Sequence, residues 1–300
     1  MEKIMKIGFI GAGRVGGTLG RDLYQKGFDV VGYFSRTTEN AEIAAKQICG
    51  IAFSNLAELI KACDFIFITV KDDAILEVAQ LLATTVERFD HKFIAHTSGA
   101  HPSDLLGALA DRGAAIYAIH PLQSFANVEQ GLELIGNTVF SIEGSGFVSH
   151  GETIVAEDKC SKEVLRFMEE AHYRNFVMLA EHKAIYHAAA VISSNYLVAT
   201  LDFALSQFER IGVDKRFAMK ALFPLIQGTI DNIERLGTVE ALTGPIARGD
   251  VKTVEKHLSK LSGEDAALYK ALGRRALDIA TEKGLAKAQR DQLFNRLKED

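Results

Sequence analysis

Three hundred residues, 48% of them hydrophobic, suffice for two domains that each bury a core. Lys and Arg total 34 against 39 Asp and Glu, and the resulting net charge of -5 argues against a nucleic-acid or anionic-membrane surface. Cys49, Cys63 and Cys160 are odd in number and show no C-x-x-C spacing, so a reducing, cytoplasmic setting is expected, with no disulfide framework and no metal centre. No secretory leader is expected either, because Ile4 and Met5 run straight into Lys6 and a glycine-rich turn.

The first predicted element is a short buried strand containing Ile7, Phe9 and Ile10. Gly11, Gly13 and Gly16 follow at once, and then a helix over 18–26. In this G-x-G-x-x-G spacing the first glycine allows a tight turn, the second a close approach of backbone to a pyrophosphate, and the third close helix-on-strand packing. Free N–H groups at the helix start, around Arg14 and Val15, would draw the phosphates. A second strand, 29–34, ends in Ser35-Arg36-Thr37, where an NAD site would place an acid. A hydroxyl followed by a guanidinium suits a 2′-phosphate instead, which predicts NADP(H) as the cofactor.

Helices over 39–48 and 55–62 flank a short third strand at 51–53. A fourth strand, 64–70, leads into Lys71-Asp72-Asp73, with Asp73 as N-cap of a helix over 74–83. The fifth strand, 92–95, opens into His96-Thr97-Ser98-Gly99, the sixth, 114–119, into His120-Pro121-Leu122-Gln123, and 137–142 is a last strand. This alternation predicts an α/β fold with a doubly wound, parallel Rossmann-type sheet. Ligands bind beyond the carboxyl ends of such strands, so the loops at Gly11–Gly16, Ser35–Thr37, Val70–Asp73, Thr97–Gly99 and His120–Gln123 should meet at one crevice. Val70, Thr97 and Ser98 are then expected against the cofactor.

From Lys162 onward the pattern predicts helices only: 163–172, a long central one over 180–210, 214–236 bent at Pro224, 251–261 capped by Asp250, 264–283 and 286–298. The expected division is 1–150, a dinucleotide-binding domain, and 151–300, an all-α substrate and dimerisation domain. Residues 184–201 hold no Asp, Glu, Lys or Arg and are long enough to span a membrane. His187, Ser193, Ser194, Asn195 and Thr200 within the segment, and helix on both sides of it, favour a buried core helix and no membrane contact.

Lys183, His187 and Ser194 fall on one polar stripe of that apolar helix, with Asn195 at its flank. A desolvated lysine or a histidine there can protonate the alkoxide formed when hydride reaches a carbonyl, which makes Lys183 and His187 candidate proton donors. The bland alternative is an exposed Lys183 and a satisfied core His187. His120, fixed by Pro121, is a further catalytic candidate, and Gln123 and Ser194 are candidate substrate contacts. Arg248, in the loop Thr243-Gly-Pro-Ile-Ala-Arg-Gly-Asp250, could anchor a substrate carboxylate or simply pair with Asp250. His96, His101 and His120 lack an accompanying Asp, Glu or Cys at ligand spacing, so no metal is expected.

The glycine turn, Ser35-Arg36, His120-Pro-Leu-Gln-Ser-Phe125, the run from Tyr186-His187-Ala-Ala-Ala to Asn195-Tyr196, and Leu242-Thr-Gly-Pro-Ile-Ala-Arg-Gly-Asp250 together resemble one family across essentially the whole chain. In it a Rossmann-like domain precedes an all-helical domain of unknown function, and members are labelled NADP oxidoreductases. The wider superfamily it resembles includes 6-phosphogluconate dehydrogenase, ketopantoate reductase, pyrroline-carboxylate reductase and prephenate dehydrogenase. The resemblance implies NADPH-dependent reduction of a small keto acid or imine, a ketopantoate reductase-like activity being one candidate, and homodimers with interlocked helical domains. Lys183 takes the lysine position of the superfamily's K-x-x-x-N, while His187 stands where the Asn would be. A non-catalytic NADP(H)-binding sensor or scaffold dimer is the alternative that this departure leaves open.

Overall fold

The computed structural model describes residues 5–298, so Ile4, on which the leader expectation partly rests, lies outside them. The chain forms two compact units, one ending at Asn195 and one beginning at Tyr196.

The first unit begins with β1 (Lys6–Ile10), α1 (Arg14–Gln25), β2 (Asp29–Phe34), α2 (Thr38–Lys46), β3 (Ile51–Phe53), α3 (Leu56–Ala62) and β4 (Phe65–Ile68). Next come α4 (Ile75–Thr85), β5 (Phe93–His96), α5 (Gly107–Ala110), β6 (Ala115–Pro121), α6 (Val128–Ile135) and β7 (Val139–Gly144). It closes with β8 (Phe147–His150), β9 (Thr153–Ala156), α7 (Lys159–Glu170), β10 (Arg174–Val177) and α8 (Lys183–Ser193). One eight-stranded sheet runs β10-β7-β6-β5-β4-β1-β2-β3, and β8 and β9 pair separately. β1 to β6 are mutually parallel, as expected, but β7 runs antiparallel to β6 and carries β10 parallel to itself.

Every side chain of β4 and β5 is buried, as befits a parallel sheet covered on both faces. The pleat sends Phe65 and Phe67 to one core with Phe9, Tyr33 and Phe167, and Ile66 and Ile68 to the opposite core with Leu59, Leu82 and Ile94. The chain departs from its expected helical run after Lys162 at β10, where Tyr173 just before the strand donates to the Asp22 carboxylate on α1 at 2.6 Å. Asp73 does not cap a helix: Asp72–Ala74 form a 3-10 turn and α4 starts without a side-chain cap.

The expected 180–210 helix is two helices. Ser194 breaks it at φ −120° and ψ −71°, where Ser193 and Ser194 donate to the carbonyls of Ala189 and Ala190, each at 2.8 Å. Such back-bonding by hydroxyls competes with the helix ladder and bends it. α8 therefore belongs to the first unit, and α9 (Asn195–Arg210) leads into the second.

The second unit continues with α10 (Lys215–Ala241), α11 (Gly244–Ala247), α12 (Val251–Leu258), α13 (Gly263–Glu282) and α14 (Lys287–Leu297). Pro224 lies inside α10, but the non-helical backbone is at Gly237, with φ 75°, near the expected end of that helix. The small core of this unit is Val254, Leu277, Leu293 and Leu297. α8 and α9 leave Ile185, Ile192, Tyr196 and Val198 exposed, so the expectation that 184–201 is buried fails within a single chain, and α10 likewise exposes Phe217, Phe223 and Leu225.

Candidate active site

All of the strand ends named from sequence lie in the first unit, and the parallel neighbours β2, β1, β4, β5 and β6 bring their carboxyl-terminal loops to one edge of the sheet. At the first loop, Gly11 has φ +108° and donates its N–H to Phe34 O at 2.8 Å, which fixes the turn. A Cβ on Gly16 would collide with Gly11 O and Thr69 Oγ1, so this glycine exists for packing. A Cβ on Gly13 would meet nothing within 4 Å. Gly13 is also the N-cap of α1 and offers no side-chain cap, which leaves the backbone at Arg14 and Val15 facing open space suited to an anion. Ser35 is half-buried, Arg36 and Thr37 are exposed, and Arg36 makes no ion pair among the described residues. These groups fit the phosphates of a dinucleotide.

The loop after β5 is held by a polar web. The Ser98 hydroxyl donates to Asp72 Oδ2 at 2.7 Å and accepts the N–H groups of Ala100 and His101, each at 3.2 Å. His96 accepts Ser98 N–H at Nδ1 (3.2 Å) and faces Pro102 O at 3.0 Å with Nε2, which sets its proton on Nε2. The buried Glu143 carboxylate accepts both the N–H and the hydroxyl of Ser103, at 2.7 and 2.8 Å. Thr97 is half-buried, with its N–H on Ile68 O at 3.3 Å, and Val70 is half-buried beside it on the next loop.

α8 meets this loop through Lys183, which is 1% exposed and donates from Nζ to Ser98 O at 3.0 Å. Burial draws its pKa down to about 8 against the opposing pull of Glu143 and Asp72. The alternative of an exposed Lys183 is therefore wrong. So is that of a satisfied His187, because His187 Nδ1 is buried with no hydrogen-bond partner. A Cβ on Gly99 would lie 2.9 Å from both His120 Nε2 and His187 Nδ1, so the two imidazoles close on the bare Cα of that glycine. His120 Nδ1 is 2.7 Å from Tyr186 Oη. Burial, with Lys183 and His187 nearby, holds His120 down at about 4.

A cavity of about 500 Å³ is walled by His120, Gln123, Tyr186, His187, Ser194 and Asn195, among others. Five candidates from different stretches of sequence, His120, Gln123, His187, Ser194 and Asn195, are thus brought together, while Lys183 stands behind the wall rather than in it. Gln123 is exposed, with its side-chain oxygen on Ser124 N–H at 2.9 Å. The Ser194 hydroxyl oxygen also lies 2.8 Å from the Asn195 side-chain amide. Arg248 is exposed in the second unit, where its carbonyl accepts from Gln289 and Asp250 instead caps α12. Sequence reasoning gave no role to Tyr186, Asp72 or Glu143. The signals were an acid closing an apolar strand, an acid opening a strand-end loop, and a phenol one residue before a candidate histidine.

A family model described as a Rossmann-like domain matches residues 2–121, and one described as a domain of unknown function, DUF2520, matches residues 153–276. No curated protein matches the chain. Among solved structures, protein TM1727 from Thermotoga maritima is 26% identical over 92% of this chain and 99% of its own, with a TM-score of 0.70. A reductive aminase from Aspergillus terreus, in complex with NADPH and ethyl levulinate, is 18% identical over 93% and 98%, with a TM-score of 0.61. A pyrroline-5-carboxylate reductase from Coxiella burnetii is 13% identical over 99% and 100%, with a TM-score of 0.60. The last two share the fold.

His96 is held at about 4 for the same reason as His120, chiefly by burial. Both imidazoles titrate near 6.5 when unfolded, so between about 6.5 and 4 the unfolded chain binds protons that the folded chain refuses. Their contribution to stability is complete above 6.5 and is lost as the pH falls through 4, on the order of 3 kcal/mol for each. Urea midpoints measured from pH 7 to 4 should fall steeply in the parent and less steeply in His96→Asn, and equal slopes would contradict the neutral, buried state of His96.

Proposed function

We propose that this chain, which joins a Rossmann-like domain to a DUF2520 domain, is an NADP(H)-dependent oxidoreductase that reduces a small carbonyl or imine compound. The observation that supports it most is the pairing, on one sheet edge, of an uncapped glycine-turn helix start with a cavity walled by two imidazoles. The NADPH complex of the similar reductive aminase and the pyrroline-carboxylate reductase fold point the same way.

The backbone from Gly11 to Gly16 would hold the pyrophosphate, and Ser35, Arg36 and Thr37 the 2′-phosphate, with Val70, Thr97 and Ser98 lining the path to the reactive end. The reduced nicotinamide supplies the hydride. His187 is then the group best placed to deliver the matching proton to the substrate oxygen or nitrogen, because it lines the cavity while the Lys183 ammonium is committed to Ser98 O. Lys183 supports the reaction from behind, holding α8 and the Ser98 loop together. His120, Gln123, Ser194 and Asn195 orient the substrate, and Arg248 remains a candidate carboxylate contact for a keto acid such as ketopantoate.

The exposed apolar side chains of α9 and α10 favour a homodimer through the second unit, since Val198 is 68% and Phe217 67% exposed in one chain. The three thiols are unpaired, in keeping with a reducing cytoplasm.

Three measurements test this reading. Arg36→Ala should weaken NADPH about 10–100-fold in calorimetry and leave NADH near its parent value, as expected for one charge-assisted contact. Equal parent affinities for the two cofactors would remove the 2′-phosphate assignment. Once a panel of small keto acids, ketones and cyclic imines identifies a substrate by NADPH oxidation, His187→Ala should lower kcat at least about 100-fold with NADPH affinity unchanged. Full-speed turnover in that variant would move the donor elsewhere. In light scattering the parent should have the mass of a dimer and Val198→Glu that of a monomer, and a monomeric parent at micromolar concentration would refute the interface.

A further inference from the structure

Tyr186 was assigned no role by any of the sequence patterns, yet its hydroxyl meets one ring nitrogen of His120 directly. In the antiparallel register of β6 and β7, His120 lies opposite Ser141. Tyr186, from α8, packs its ring edge-on against His120 at a centroid distance of 5.7 Å and sets its hydroxyl 2.7 Å from His120 Nδ1. A second edge-on contact, with Phe176 of β10 at 5.9 Å, holds the phenol in that place.

The direction of the proton in this bond follows from what surrounds it. The phenol stays protonated, because burial raises its pKa. Its hydroxyl hydrogen needs an acceptor, and His120 Nδ1 is the acceptor it meets. On the neighbouring strand, the buried Ser141 hydroxyl completes no hydrogen bond among the described residues. The bond therefore runs from Tyr186 O–H to His120 Nδ1. A neutral imidazole that accepts at Nδ1 carries its proton on Nε2. Nε2 lies on the edge that closes on Gly99, next to His187, and His120 is part of the cavity wall.

We propose that Tyr186 is a positioning residue that locks His120 as a neutral Nε2–H donor, and that this N–H polarises the C=O or C=N group of the substrate while His187 delivers the proton. The proposal deepens the reductase reading above and rests on it for the identity of the reacting group, but not for the state of His120. A neutral N–H beside a second imidazole accommodates an uncharged carbonyl or imine acceptor at this wall. It does not demand a substrate carboxylate there, and a neutral donor can strengthen its bond as negative charge develops on the acceptor atom.

The test has two arms. In the ¹⁵N-histidine-labelled full chain, long-range ¹⁵N–¹H correlations at pH 7 report which ring nitrogen is protonated, and the His120 signals are identified by their loss in His120→Gln. The parent should show His120 protonated at Nε2, and Tyr186→Phe should show a mixture of the two tautomers with His96 unchanged. A parent protonated at Nδ1, or a Tyr186→Phe pattern identical to the parent, overturns the proposal. In the second arm, Tyr186→Phe should lower kcat about ten-fold or more on the identified substrate with the KM for NADPH unchanged, and an unaltered kcat would also overturn it. If no carbonyl or imine oxidises NADPH in the parent, the reductase reading fails, while the nitrogen signals still decide whether Tyr186 sets the tautomer.

Discussion

The site depends on one buried cation. Lys183 gives up nearly all its water to place Nζ on the carbonyl of Ser98, and the opposite charges of Glu143 and Asp72 act on it from a distance. An ammonium held this way is costly, which is why its pKa is drawn to about 8, yet at neutral pH it still carries charge. That charge is felt by His96 and His120, where it adds to burial in keeping both imidazoles neutral. On the cavity wall, His120 therefore presents a neutral imidazole rather than a cation. The same contact ties α8 to the loop after β5, so a helix that begins far along the chain is fixed at the carboxyl edge of the sheet.

Much of this was legible in the sequence, for a definite reason. β1, β4 and β5 are buried on both faces, so their apolar runs are nearly continuous and their ends are sharp. The glycine turn follows a strand and opens a helix, the context that gives G-x-G-x-x-G its meaning, and Gly11 takes the positive φ of the tight turn while Gly16 leaves no room for a Cβ. The polar stripe on an apolar helix was visible from the 3.6-residue period alone, and it drew attention to Lys183 and His187 before any contact was known.

What was not legible depends on long-range pairing. Nothing local in 139–144 says that β7 will run antiparallel to β6, and nothing in Arg174–Val177 says that these four residues will form a strand rather than helix. Their place is fixed by partners elsewhere, such as Asp22 on α1 for Tyr173. The same holds for Tyr186 and Glu143, whose roles exist only once β6, β7 and α8 are brought together. The break at Ser194 is a subtler failure: two successive serines look helix-tolerant by composition, and only their back-bonding shows how they end α8.

That break has a consequence for how chemistry and assembly divide along the chain. Had residues 180–210 formed one straight helix, the stripe of Lys183 and His187 and the apolar surface of 196–210 would have been parts of a single rigid rod. Instead the polar half is seated in the first unit with the sheet, and the apolar half enters the second. Ser194 and Asn195, where the chain passes from one half to the other, also line the cavity.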